Sequence, residues 1–261
     1  TAIIIKKLSF KLDQDDFSAK SKITNLTSNP NIQATLKGRI DLKNISEAYP
    51  LPLTPKLQGN MRVELVSSFT QEAIENKNFK QILNTGFIQL ENFSTHTKLL
   101  PNPIQIKAAL LNFKKQHFSL KKFEAKTGSS DLKLHGTIQN LYDCIFGDGK
   151  LHGNFQLNST VLNVSDFLTS DSATSTKSDT ISFVKTLKIP AKINATLGVN
   201  AKKVIYDNLF LHDLTGTVKI NHQKAIFEET NAKMFQGNVG LEGFVNTKPT
   251  PSNFDVTFIV K

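Results

Sequence analysis

Lys192-Ile193-Asn194-Ala195-Thr196-Leu197-Gly198-Val199-Asn200 alternates polar and apolar residues along its length. Successive side chains of an extended chain point to opposite sides, so the stretch reads as a β-strand with Ile193, Ala195, Leu197 and Val199 on one face. The same alternation recurs through Ile32, Ala34 and Leu36, from Leu57 to Leu65, at Leu132 and Leu134, at Phe155 and Leu157, from Leu214 through Val218 to Ile220, and in the closing Phe254, Val256, Phe258 and Val260. Turn-forming residues such as Asn29-Pro30, Gly147-Asp148-Gly149 and Asn221-His222 separate these runs. Helical signals are short and read as connectors: Ser46 to Tyr49, Ser165 to Leu168, and the stretch Thr70 to Asn84.

The chain also repeats itself. Leu36-Lys-Gly-Arg-Ile40 returns as Leu134-His-Gly-Thr-Ile138 and as Leu241-Glu-Gly-Phe-Val245. Upstream of these, Phe118 to Lys126 resembles Ala225 to Lys233, with Phe17 to Ile23 a looser relative. A second element, Lys56 to Val63, returns as Lys150 to Leu157. Both are spaced by roughly a hundred residues, the mark of a multi-strand module stacked on its neighbour. In the first element the glycine takes the apolar side of the strand, either relieving crowding at a bend or leaving room for a bound chain.

A strand and turn averaging about 13 residues gives roughly 18 to 20 strands, and open sheets seldom exceed about ten without curling or splitting. The apolar face is then buried in a sandwich or barrel, or along a lengthwise gutter filled by something else. Modular repetition favours the gutter, since each unit meets only its neighbours. The expected fold is therefore all-β and mainly antiparallel, an elongated curled sheet or β-groove of repeated modules with few short helices. Residues 1–168 form the repeated modules, 169–186 a Ser/Thr-rich linker or mobile loop in which 169–180 lack apolar anchors, and 187–261 a further module of the same groove. The apolar lining is expected at Leu132, Leu134, Phe155, Leu157, Ile193, Ala195, Leu197, Val199, Val218, Ile220, Val239 and Leu241.

Composition narrows the function. With 39% hydrophobic and 21% charged residues the chain buries a substantial core rather than remaining disordered. The excess of 32 basic over 22 acidic residues is spread as lysines over polar strand positions, and arginine occurs only at Arg39 and Arg62, so nucleic acid is not an expected partner. Cys144 stands alone, which excludes an intrachain disulfide, and it sits in an apolar segment as a packed thiol. The six histidines lack metal-site spacing. Asp13, Asp15 and Asp16 lack the rest of a calcium loop, and no G-x-S-x-G elbow occurs. Neither enzyme activity nor a cofactor or metal is expected. No run approaches the roughly 18 apolar residues of a spanning helix, and Thr1 leads straight into a strand. The sequence reads as a segment of something longer. Asp171-Ser-Ala and Asp179-Thr-Ile resemble an O-glycosylation acceptor of some Gram-negative phyla.

Two stretches resemble the C-terminal region of AsmA-like proteins of Gram-negative bacteria. One is Gly128 to Asn140 with Leu151 to Val164; the other runs from Ile189-Pro-Ala-Lys-Ile-Asn-Ala195 through Val204 to Leu211 and ends at Gly237 to Gly243. The resemblance implies a bridge-like protein whose repeating β-groove carries phospholipid acyl chains between inner and outer membranes and supports outer-membrane homeostasis. It also implies a periplasmic location, an inner-membrane tether outside this segment, contact with the inner and outer membranes, and envelope protein partners. The alternative from another class is an envelope scaffold with a self-filled β core and no lipid.

Overall fold

The computed structural model describes residues 1–12, 15–44, 58–97, 100–171, 184–249 and 252–260. The sheet strands are β1 (Ala2–Leu12), β2 (Asp15–Thr24), β3 (Asn31–Asp41), β4 (Gln58–Thr70), β5 (Leu83–Thr95), β6 (Ile104–Lys115), β7 (His117–Thr127), β8 (Ser130–Gln139), β9 (Leu151–Asn163), β12 (Ile193–Tyr206), β13 (Leu209–Asn221), β14 (Lys224–Met234), β15 (Gly237–Asn246) and β16 (Asn253–Val260). These fourteen lie in chain order in one open, mainly antiparallel sheet, with β1 and β16 at its edges. The strands are longer than the sequence reading allowed, β12 reaching 14 residues, so the described residues hold fewer than the 18 to 20 expected.

β10 (Leu168–Asp171) and β11 (Val184–Leu187) pair with each other in a separate antiparallel hairpin. Both ends of the stretch read as a linker are therefore paired strand; 172–183, which include Asp179, lie outside the described residues. The excursion also leaves and rejoins one sheet, because β9 and β12 on either side of it are neighbours. Helical structure among the described residues is confined to short connectors. Residues 42–44 are helical. α1 (Gln71–Glu75) is capped by Thr70, whose hydroxyl accepts from Ala73 N, and a 3-10 turn follows at Phe79–Gln81. α2 (Leu141–Phe146) joins β8 to β9, and a 3-10 turn spans Val164–Phe167. The connector expected at Ser46 to Tyr49 lies outside the described residues.

The sequence repeat is a structural one. Leu36 to Ile40, Leu134 to Ile138 and Leu241 to Val245 all lie on the second strand of a hairpin, in β2–β3, β7–β8 and β14–β15. Each period contributes five consecutive sheet strands, β2 to β6 and then β7, β8, β9, β12 and β13. The chain divides into two compact units: Thr1–Thr95 with Gln105–Glu124 and Leu134–His152, and His96–Ile104 with Ala125–Lys133 and Gly153–Lys261. In the first, Phe113, Phe118 and Leu141 form a buried cluster with Leu65, Ile88, Ile138 and Tyr142 against it, and the Phe118 ring meets those of Phe113 and Tyr142 edge-on. In the second, Ala201, Val204, Leu211, Ala232 and Val239 pack with Leu162, Val164, Leu214 and Met234.

At two of the repeat glycines, neighbouring protein atoms occupy the space a side chain would take. At Gly38 an added Cβ would lie 2.6 Å from the Phe17 ring, which covers the position from the neighbouring strand. Gly243 has φ +133°, and its Cβ would fall 2.0 Å from the Asp255 carbonyl oxygen of β16. Gly243→Ala is expected to cost at least about 2–3 kcal/mol in urea unfolding, because the conformation is strained for any side chain and a backbone atom stands in the way. Gly237→Ala, at the start of the same strand with nothing within 4 Å, is expected to change stability by less than about 1 kcal/mol.

Candidate functional site

Strand register carries the apolar face across the second unit. Ala195 lies opposite Ile220, which is followed across the sheet by Ala225, Val245 and Phe254. Leu197, Val218, Phe227, Gly243 and Val256 form the next row. Two further rows place Val199 opposite Gly216 and Ala201 opposite Leu214, continuing as Thr230, Leu241 and Phe258 and as Ala232, Val239 and Val260. The contact between the two halves of the third row is direct, since an added Gly216 Cβ would lie 2.5 Å from Thr230 Oγ1.

Eight of the candidate lining residues thus share one face: Ala195, Leu197, Val199, Val218, Ile220, Val239 and Leu241 by register, and Ile193 by alternation with Ala195. Phe155 and Leu157 join them. The Gln156 side chain lies against Gly198 on the polar side, 2.4 Å from where its Cβ would be, which turns the flanking residues to the side of Leu197 and Val199. Leu132 and Leu134 take the sheltered side of β8, half-buried beside exposed Lys133 and His135.

The small side chains of this face are covered and the large ones are not. Ala195, Val199, Ala201, Ala225, Ala232 and Val239 are buried. Leu197, Val218, Ile220, Phe227 and Leu241 are only half-buried, and Phe254, Phe258 and Val260 are exposed. A face packed against a second layer would bury its largest members first. The first unit differs: Leu8, Ala19, Leu36, Leu65 and Gly86 form one row and Phe17, Gly38, Val63 and Ile88 the next, and there Leu65 and Ile88 lie against the buried Phe113, Phe118 and Leu141. Of the two rows, only Val63 is buried.

Sequence reasoning missed Phe227 and the row it completes, because the β14 alternation breaks at a bulge. Its apolar side runs Ala225, Phe227, then Thr230 and Ala232, with Glu229 at φ +49° as the extra residue. It also missed the slip in alternation along β12. Val204, opposite Leu211, is buried in the same cluster as Ala201 although three residues separate them, and on the paired strand Asp213 takes φ +51° between Leu211 and Leu214. No short-range signal marks that slip, since Lys202-Lys203-Val204-Ile205 has no clean period.

The polar face of the first unit carries a charge ladder. Glu64 accepts from Arg62 at 2.6 Å and lies 3.5 Å from Lys37, and the Arg62 hydrogen bond holds its carboxyl below the usual carboxylate range. These exposed pairs favour solubility more than stability. In the second unit Asp166 is buried at the end of β9 and gathers the β7–β8 hairpin. Its Oδ2 accepts from Ser129 N and Oγ at 2.9 and 3.0 Å and from Ser130 N and Oγ at 2.9 and 2.8 Å. Asp131 Oδ1 accepts from the backbone N–H groups of Thr160 and Val161. The Gly128-Ser-Ser-Asp131 stretch is thus a polar clamp in the architecture.

No helix among the described residues is long and apolar enough to cross a membrane. Comparison with protein-family models, curated proteins and solved structures gives no match.

Proposed function

We propose that the apolar face binds the acyl chains of phospholipids and that the protein serves their movement between membranes without catalysing a reaction. The observation that carries this reading is the set of apolar rows across β12 to β16 whose large side chains stay half-buried. Such a face is stabilised by a ligand that is itself apolar, long and of variable length. Each methylene removed from water contributes about 0.8 kcal/mol, so an acyl chain of some sixteen carbons gains on the order of 10 kcal/mol before its lost entropy is subtracted. The likeness of Gly128 to Asn140 and Ile189 to Gly243 to AsmA-like proteins supports the same assignment, and with it a periplasmic setting and a tether to the inner membrane.

The test is direct. Native mass spectrometry and organic extraction of the purified chain are expected to yield acyl lipid bound to the folded protein. A delipidated chain that takes up no phospholipid from vesicles or micelles would remove the basis of the proposal.

A further inference from the structure

The β14–β15 turn places a phenylalanine where local chemistry disfavours one. Phe235 has φ +54° and is 91% exposed. Other positive-φ turn positions of this unit are taken by Gly128, Asp207 and His222, residue types more tolerant of the left-handed region than a bulky ring, and by Gln223, whose side chain is unbranched at Cβ. Phe235 therefore costs free energy in backbone strain and again in hydration.

It has company. Tyr206 opposite Leu209 closes the β12–β13 turn, Met234 opposite Gly237 closes β14–β15, and His212 opposite Lys233 joins these hairpins beside both tips. One end of the unit therefore carries Tyr206 at 52% exposure, Phe210 at 48% and Phe235, standing over the buried cluster that contains Leu211 and Val239. The charges nearby are net positive. Lys233 pairs with Asp213 at 2.9 Å, Lys203 Nζ sits 4.7 Å from the Phe210 ring centroid, and Lys202 and Lys203 outnumber the remaining acid, Asp207. Aromatic rings held outward among lysines suit the boundary between acyl chains and anionic headgroups.

We propose that these two turn tips insert into the surface of a phospholipid bilayer containing anionic lipid, with Phe235 at the headgroup–acyl boundary. The occupant is named on the strength of the lipid reading above; the geometry of the tips stands without it. The chain has no tryptophan, so Phe235→Trp gives a single emitter at the tip. On vesicles of mixed zwitterionic and anionic phospholipid its emission is expected to shift to the blue and to be quenched by brominated acyl chains, while Asn200→Trp on the exposed polar side of β12 is unaffected. Phe235→Asn suits the turn better and is expected to keep or raise the unfolding midpoint while weakening vesicle binding about tenfold or more. An unshifted Phe235→Trp spectrum, or a folded Phe235→Asn protein that binds vesicles like the parent, overturns the proposal. If the parent still carries extractable acyl lipid in that case, the tips alone are refuted; if it carries none, the acyl-face reading falls with them.

Discussion

Asp166→Ala is expected to lower the stability of the protein by about 3–5 kcal/mol in urea unfolding. The carboxylate is buried, and one of its oxygens is the common acceptor for both the backbone and the hydroxyl of Ser129 and Ser130. Removing it leaves the Ser130 N–H, on a residue with no exposed surface, without that partner, while the Ser130 hydroxyl keeps only the longer bond it donates to Asn163 O at 3.3 Å. Unsatisfied buried donors cost about 1–3 kcal/mol, and hydrogen bonds to a charged acceptor lie toward the upper end of the scale. Asp166→Asn keeps one oxygen in place and is expected to lose roughly half as much. Equal losses in the two variants would show that the charge, and not the acceptor, holds the hairpin; an alanine variant within about 1 kcal/mol of the parent would show that the clamp contributes little.

Leu197→Asp is expected to abolish acyl-lipid retention in a chain that still folds. Leu197 lies in the row of Val218, Phe227 and Val256, half-buried, so an aspartate there keeps access to water in the empty state. Once a chain lies on the face, the same carboxylate must be desolvated without a partner, at a cost of several kcal/mol. The expected result is a strand-rich circular dichroism spectrum and a cooperative unfolding transition with no extractable lipid; Leu134→Asp, on the sheltered side of β8, extends the test. The polar-face control is Thr196→Glu, because Thr196 stands opposite Lys219 and a lysine there would place like charges together. A folded Leu197→Asp that carries lipid like the parent argues against the acyl face. One that unfolds, while Thr196→Glu does not, favours the self-filled scaffold.

Alternation from Ile193 to Val199 was enough to assign a strand and choose its apolar side, because a period of two leaves one way to shelter those residues. The repeat of Leu36 to Ile40 at Leu134 and Leu241 likewise announced equivalent hairpin strands. Local chemistry also fixed the cap at Thr70. Long-range arrangement was not legible in the same way. The bulge at Glu229 arises where β14 must pair with partners on both sides, so Phe227 and Thr230 share a face that no fixed period predicts. Asp166 and Ser130 are 36 residues apart, and neither carries a sign of the other. The Ser/Thr-rich stretch looked like a divider because residues 169–180 carry no apolar periodicity, yet the ends of 169–186 pair with each other and β9 and β12 meet in one sheet. Side-chain alternation, set residue by residue, determined the strands and their faces; strand pairing, set by hydrogen bonds between distant segments, decided which faces were joined into rows and where the period slips along β12 and β14.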